Sequence, residues 1–212
     1  LEAIAGLQVT ESGRISYVEE DGTKEELIGM DPRKIAEKGV SLSFVPEDRL
    51  GMGLVGNMDL TDNMMLRSFR RGHSPFTNRK SPRKLAEDVV ESLEVVTPGI
   101  TTPVRRLSGG NVQKVLVGRE IASAPTVLLT AYAVRGLDIN SSYTIYDLIN
   151  EQKKKGVAVI FVGEDLDVLL ELSDKILVLC GGEVSGIVDA RNTDKNEVGM
   201  LMTRVGGRKD HE

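Results

Sequence analysis

Short apolar runs alternate along the chain with charged and glycine-rich stretches, and their spacing switches between that of strands and that of helices. In the C-terminal half, the pattern predicts strands at residues 126–131, 157–162, 175–179 and 183–188, and helices at 141–155, 165–172 and 193–203. This regular alternation predicts an α/β fold in which a mostly parallel sheet is flanked by helices.

The N-terminal half predicts a small β portion followed by further helices. Strands are expected at residues 13–18, 26–28 and 40–45, and helices at 31–38, 59–68 and 84–96. The apolar spacing of residues 1–7 is helical, with Gly6 at the end of the helix. No N-cap precedes Leu1, so we expect the chain to begin inside a helix.

Composition narrows the class of protein. The 212 residues are 40% hydrophobic and 28% charged, as in soluble globular proteins, and suffice for one large domain or a core with a small subdomain. No apolar run approaches the roughly 20 residues of a membrane span. The net charge of −5 disfavours a general nucleic-acid binder, and the single cysteine, Cys180, cannot form an internal disulfide.

A serine and two glycines open the helix predicted after residue 108, within the LSGGN segment (residues 107–114, LSGGNVQK). Ser108 is a good N-cap, and Gly109 and Gly110 leave the first turn without side chains. Another molecule can therefore reach the backbone N–H groups, and such a helix N-terminus suits a phosphate. For the SGG triplet alone, an ordinary capped helix is the favoured interpretation.

The complete LSGGN segment resembles the signature motif of ATP-binding-cassette (ABC) transporter ATPases, in the form used by importers of simple sugars and nucleosides. The resemblance implies an ABC ATPase core with the P-loop NTPase fold. It also implies that the signature residues contact nucleotide, namely Ser108, Gly109, Gly110, Asn111 and Gln113.

The VPEDR segment (residues 45–49) lies after a predicted strand, ahead of the LSGGN segment. By itself it could be a polar turn. In this order it resembles the Q-loop of the C-terminal ATPase half of double-domain importer ATPases, which carry PEDR where other ABC domains carry glutamine. The resemblance assigns a Q-loop-like role to Pro46, Glu47, Asp48 and Arg49.

Residues 125–138 lie where the family has its Walker B strand and D-loop, and Gly136, Leu137 and Asp138 match the D-loop closely. Ala131 stands in place of the aspartate that holds Mg²⁺, and it has no side-chain oxygen. Tyr132 stands in place of the catalytic glutamate. A phenol with a pKa of about 10 is a poor base at neutral pH.

Residues 162–167 resemble the switch segment, with Glu164 in place of the family's histidine. A carboxylate facing a γ-phosphate would repel it. Some C-terminal halves of these importers also carry glutamate here, so the substitution supports the subfamily as well. With Ala131, Tyr132 and Glu164 at these positions, we predict no convincing catalytic residue and no metal ligand.

The phosphate-binding Walker A loop is not found, because no GxxxxGK[ST] string occurs in the sequence. In the family the helix after that loop leads into a segment like residues 1–7, so the loop is expected upstream of Leu1. We therefore predict one N-terminally truncated ABC ATPase domain at residues 1–206, with a helical subdomain at about 57–107 and a loose tail at 207–212.

The resemblance implies an ATP-binding domain of an importer for a simple sugar or a nucleoside. In the family, two ATPase halves pair head to tail, so the LSGGN segment would serve the partner's ATP while the chain's own site is degenerate. ATP and Mg²⁺ are expected in the assembled transporter, with none tightly bound to this chain. The implied partners are a second ATPase domain, permease subunits and, indirectly, a solute-binding protein, at the cytoplasmic face of the membrane.

Two other interpretations stay open. The chain could be a structural or regulatory ABC-like module that dimerises without transport. It could instead be an ABC protein that acts on nucleic acid or the ribosome through residues 67–84, which are basic and contain no acidic residue. Aromatic residues for base stacking are scarce there, which favours a solvated hairpin between helices. We therefore expect no nucleic-acid partner.

Overall fold

The computed structural model describes residues 1–19, 21–37, 42–45, 48–67, 78–163 and 165–203. The strands are β1 (Ser16–Val18), β2 (Lys24–Glu26), β3 (Leu42–Val45), β4 (Val127–Ala131), β5 (Ala158–Val162), β6 (Lys175–Cys180) and β7 (Glu183–Asp189). The helices are α1 (Pro32–Glu37), α2 (Leu60–Met65), α3 (Lys80–Ser92), α4 (Gly109–Ala122), α5 (Ile139–Lys154), α6 (Leu166–Leu172) and α7 (Lys195–Thr203). The chain divides into two compact units, Leu1–Val162 and Gly163–Glu212.

A parallel sheet in the order β3-β4-β5 forms the centre of the first unit. Its middle strand, β4, buries Leu128, Leu129 and Thr130, because a strand covered on both faces has no solvent side. The strands alternate with helices as the sequence pattern predicts. Together with the similarity of fold given below, this confirms the predicted α/β class with a parallel sheet and flanking helices.

The main core of this unit packs around α4, which is buried on several sides. Val115 and Leu116 of α4 have no exposed surface and share one apolar cluster with Leu60 of α2, Val89 of α3 and Ile145 of α5. A helix buried on nearly all sides is typical of the interior of a domain, and α4 buries polar as well as apolar side chains. The packing of residues 112–120 fixes where the N-terminus of α4 lies.

Strands β1 and β2 form an antiparallel pair that precedes α1, as the sequence pattern predicts for the N-terminal portion. Leu27, directly after β2, and Ile35 of α1 are the buried residues of this portion. β1 begins three residues later than expected, because the N–H of Ile15 is already bonded to the Glu26 side chain at 2.9 Å.

Several helix boundaries differ from the sequence-based expectation, most of all at residues 1–7 and in α3, which also ends four residues early, at Ser92. Residues 1–7 form turns, with no regular helix, although Gly6 ends them as expected: it is left-handed at φ +73°, and the Leu7 N–H bonds the Glu2 carbonyl at 2.9 Å. α3 begins at Lys80, four residues before the expected start, because Pro82 fits the first helical turn, where its missing N–H costs nothing.

The second unit contains α6, an antiparallel β6–β7 pair and α7. Ile176, Val178, Ala190 and Val198 form its small apolar core. The predicted tail at residues 207–212 lies outside the described residues, and the predicted domain limits stay predictions. In the part of the chain that the structure describes, no helix is long and apolar enough to cross a membrane.

Gly118 marks a close approach between α3 and α4 that a methyl group would disturb. A Cβ atom there would lie 2.8 Å from Val89 Cγ1 and 3.0 Å from Leu93 Cδ1. The helix-propensity gain of Gly→Ala is about 1 kcal/mol, whereas overpacking a core costs about 1–3 kcal/mol. We therefore expect Gly118→Ala to lower the free energy of unfolding in urea denaturation. Gly199→Ala in α7 should not lower the free energy of unfolding, because no atom lies within 4 Å of the new methyl group. Equal stabilisation by both changes would contradict this packing.

Candidate functional site

The N-terminus of α4 has the open, capped geometry that the sequence predicts. Ser108 is the N-cap, and its hydroxyl accepts hydrogen bonds from the Asn111 backbone N–H at 3.4 Å and from the Asn111 side-chain amide at 2.8 Å. Gly109 and Gly110 form the first turn without side chains. The predicted capping role of Ser108 is confirmed, and the turn is bare enough for a ligand to approach its backbone.

The other two signature residues face the protein in this structure. The Asn111 side-chain oxygen accepts the Val96 N–H at 2.9 Å, which ties α4 to the end of α3. Gln113 is fully buried, and neither polar atom of its side chain has a hydrogen-bond partner. A direct contact between Gln113 and nucleotide, as the resemblance implies, does not fit this burial.

The residues matched to the D-loop lie beside the LSGGN segment. Asp138 caps α5 and accepts hydrogen bonds from the Ser141 N–H at 2.9 Å and the Ser141 hydroxyl at 2.7 Å. A Cβ atom on Gly110 would lie only 2.7 Å from Ser141 Oγ. The N-termini of α4 and α5 are therefore in contact. Gly136 is left-handed at φ +68°, and Leu137 packs against the main core, so both hold the turn into α5.

The described part of the VPEDR segment also lies beside the N-terminus of α4. Asp48 caps a π-helical turn, Arg49–Gly53, by accepting the Gly51 N–H at 2.8 Å. Arg49 donates a hydrogen bond to the Arg135 carbonyl. Its Nη1 would lie 3.6 Å from a Cβ atom on Gly109. Pro46 and Glu47 lie outside the described residues, and so does Glu164 of the switch-like segment.

The positions matched to the Walker B acids carry no carboxylate. Ala131 ends β4 and offers only a methyl group. Tyr132 has a left-handed backbone at φ +49°, donates its N–H to the Val162 carbonyl at 2.7 Å and lies under the Arg135 guanidinium at 5.7 Å. Among the residues that the structure describes, no group of three or more His, Cys, Asp or Glu side chains could hold a metal ion. The ring of Tyr132 is therefore placed to stack on the Arg135 guanidinium.

An arginine–glutamate triad (Arg67, Glu120 and Arg119), in which Glu120 and Arg119 are buried and Arg67 is partly exposed, links the π-helical turn to the C-terminal part of α4. Glu120 is 0% exposed and accepts hydrogen bonds from Arg67 Nε at 3.1 Å and Arg119 Nε at 2.9 Å. Arg119 Nη2 also donates to the Gly53 carbonyl at 2.6 Å. Burial lowers the pKa of Arg119, and Glu120 opposes that shift.

Two arginines of residues 67–84 form ion pairs with residues outside that stretch. Arg67 pairs with Glu120 and Arg79 with Asp62, although the two arginine side chains keep 43% and 58% of their surface exposed. Residues 68–77 lie outside the described part. No sequence signal connects Arg67 with Glu120, which are 53 residues apart.

The Asp138 cap should stabilise α5 at neutral pH and lose this effect in acid. Hydrogen bonds from the Ser141 hydroxyl and N–H lower the pKa of Asp138. A lowered pKa means that the cap stabilises the folded state above the ordinary aspartate pKa of about 3.9 and loses this effect as the pH falls through the lowered value. In an NMR titration, Ser141→Ala should raise this pKa. Ser142→Ala should leave the Asp138 pKa unchanged, because the Ser142 hydroxyl donates to the Asp138 backbone carbonyl at 3.0 Å. Equal changes in pKa from both substitutions would contradict the role given to Ser141.

The chain is similar to import ATP-binding proteins. The xylose import ATP-binding protein of Moorella thermoacetica is 36% identical over 193 residues, which cover 88% of this chain and 38% of that protein. The guanosine import ATP-binding protein of Bacillus subtilis is 32% identical over 207 residues, 95% of this chain and 39% of that protein. The chain thus spans about two fifths of the length of these relatives. No family model matches it.

Solved structures show the same fold. A dimeric bacterial ABC transporter cassette matches with a TM-score of 0.73 at 21% identity, over 91% of this chain and 79% of that chain. A dimeric ATP-binding cassette in a post-hydrolysis state, bound to ADP and phosphate, matches with a TM-score of 0.72 at 20% identity, over 91% and 79%. At such identities the likeness establishes the fold.

Proposed function

We propose, from the premise that the chain is an ABC-transporter ATPase domain related to sugar and nucleoside importer ATPases, that it works as the ATP-binding domain of such an importer. The solute class comes from the names of its relatives, which import xylose, guanosine and other sugars or nucleosides. Since the chain covers only part of their length, transport belongs to the whole assembly in this proposal.

Within that assembly, the LSGGN segment acts on ATP held by a second ATPase domain. The observation that carries this proposal is the bare first turn of α4, capped by Ser108 and set beside the N-terminus of α5. Backbone N–H groups at a helix N-terminus bind phosphate oxygens well. The positions that would serve the chain's own nucleotide carry Ala131 and Tyr132, so the phosphate at this turn is the partner's.

The proposal names further components of the assembled transporter. ATP and Mg²⁺ are held mainly by the second ATPase domain. Permease subunits bind the ATPase pair at the cytoplasmic face of the membrane, and a separate solute-binding protein acts through them. Because the two ATPase domains close on each other only around ATP, nucleotide binding is coupled to closure of the permease.

The chain alone should hydrolyse ATP no faster than a buffer control. Phosphoryl transfer needs a phosphate cradle, a lysine, Mg²⁺ and an oriented water, and the sequence has neither a Walker A string nor Walker B acids. Phosphate release from the purified chain is the measurement. Turnover that persists through purification and disappears in Ser108→Ala would contradict the proposal.

Co-purification with defined partners separates this proposal from its alternatives. An importer domain should co-purify, from detergent extracts, with a polytopic permease encoded beside it. A structural or regulatory ABC module should pair with an ATPase domain but leave the permease behind. Affinity for RNA that falls steeply with salt would instead support a nucleic-acid partner, since counterion release makes such binding salt-dependent.

A further inference from the structure

One face of the β6–β7 pair carries an exposed apolar patch. Its four side chains are each between 54% and 65% exposed, namely Leu177, Leu179, Val184 and Ile187. They face one another across the two strands, Leu177 beside Ile187 and Leu179 beside Val184. They therefore form one contiguous surface, here called the open face. The opposite face of the pair packs in the core of the second unit.

The residue order of both strands is that of a sheet with two covered faces. An antiparallel pair with one solvated face normally places polar residues on that face. In β6, residues 176–179 are all apolar. In β7 the usual order is reversed, because the polar and small residues lie on the covered side: the Ser185 hydroxyl donates to the Leu201 carbonyl at 2.6 Å, and a Cβ atom on Gly186 would lie 2.9 Å from Leu201 Cδ1. An exposed face built in this way is typical of an interaction surface.

The end of the open face carries charges that are complementary to themselves. Lys175 of β6 and Asp189 of β7 are exposed register partners. Side chains alternate along a strand, so both lie on the side of the open face. In the described part of the chain, neither takes part in an ion pair. The Asp189 carboxylate also accepts the Arg191 N–H at 2.9 Å, which orients it.

We propose that the open face binds a second copy of this chain, face to face, about a two-fold axis that runs along the strands. Such an axis places β6 of one copy over β7 of the other. Leu177 then packs against Ile187 of the second copy, as in a sandwich of two sheets. Lys175 lies opposite Asp189 of the second copy, and the same pair recurs on the other side of the axis. This pairing needs no nucleotide and does not rest on the function proposed above.

The size of the open face predicts a weak dimer. Four half-exposed aliphatic side chains offer on the order of a few hundred Å² of apolar surface, which is large for a monomer. A stable interface, however, buries roughly 800 Å² of each partner. We therefore expect a monomer–dimer equilibrium with a dissociation constant in the micromolar range.

Sedimentation equilibrium of the complete 212-residue chain without nucleotide, from about 1 μM to 1 mM, measures this equilibrium. Ile187→Lys should weaken dimerisation about tenfold or more, because it encloses a charge in an apolar interface. Met200→Lys is the matched control. Met200 lies on α7, outside the open face, and is 65% exposed like Ile187. Its substitution should change the dissociation constant less than about twofold at physiological salt.

An exchange of charges tests the orientation of the two copies. Lys175→Glu sets two carboxylates opposite each other, and Asp189→Lys sets two ammonium groups opposite each other. Each variant alone should therefore dimerise more weakly than the native chain. An equimolar mixture of the two variants restores opposite charges on both sides of the axis, so it should dimerise more tightly than either variant alone. Circular-dichroism melts in dilute solution show that each variant is folded.

Three results would overturn the proposal. The first is a native chain that stays monomeric up to about 1 mM. The second is a native dimer that Ile187→Lys leaves as tight as before, or a mixture of the charge variants that is no tighter than either alone. The third is dimerisation that occurs only with ATP, which would assign it to the LSGGN segment. None of these results bears against the proposed function, whose association with a second ATPase domain depends on ATP.

Discussion

Glu120→Ala should lower the free energy of unfolding by about 3–5 kcal/mol, the range for removing one partner of a buried ion pair. Glu120 is the only carboxylate in the triad, and its loss would leave Arg119 with a 94% buried side chain and no counter-charge there. The Gly53 carbonyl would remain as a hydrogen-bond acceptor for Arg119, but a carbonyl cannot replace a carboxylate. Urea denaturation followed by circular dichroism measures the change.

Glu87→Ala is the matched control, since it removes the same side chain from an exposed pair. Arg83 and Glu87 lie one turn apart on α3 with side chains 68% and 52% exposed. Exposed pairs of this kind contribute about 0.3–0.5 kcal/mol. If Glu120→Ala cost no more than Glu87→Ala, the triad would not hold the π-helical turn against α4.

Gly110→Ala should weaken ATP-dependent association with an intact ATPase domain by more than about tenfold, or about 1.4 kcal/mol. The added methyl would lie 2.7 Å from Ser141 Oγ and 3.2 Å from Ser141 Cβ. The serine hydroxyl cannot move freely, because Asp138 holds it at 2.7 Å. The N-termini of α4 and α5 must then separate, and the methyl also covers N–H groups that face the phosphate.

Gly99→Ala provides the control for this substitution. No atom lies within 4 Å of a Cβ atom at Gly99, and it precedes α4 in the same connection from α3. Its association with the partner domain should match that of the native chain, as measured by light scattering with and without ATP. Native-like association of Gly110→Ala would show that the contact between the two helix N-termini does not matter for assembly.

Local features of the fold were predictable because they depend on neighbouring residues. The cap at Ser108 and the buried strand β4 follow from side-chain type and apolar spacing over a few positions. The sequence pattern places the start of α3 four residues too late, because proline is permitted in a first helical turn and the apolar pattern there begins only later.

Contacts between residues far apart in the sequence could not be predicted in this way. Arg49 meets the carbonyl of Arg135, 86 residues away, and its approach to Gly109 depends on how the sheet aligns the two segments. The burial of Gln113 could not be predicted either, since it follows from the packing of α4 and not from the LSGGN pattern. The order of the motifs indicated where the site lies, whereas the placement of its charged and polar side chains could be read only from the structure.

The central claim is that the LSGGN segment contacts a nucleotide held by another domain. ATP with a photo-crosslinker on its γ-phosphate, bound to an intact ATPase domain from the same transporter, tests it directly. After illumination and digestion, mass spectrometry locates the label. The claim predicts labelling of this chain at residues 108–111 only when the partner domain is present. Labelling that needs no partner, or that falls beside Ala131 and Tyr132, would contradict it.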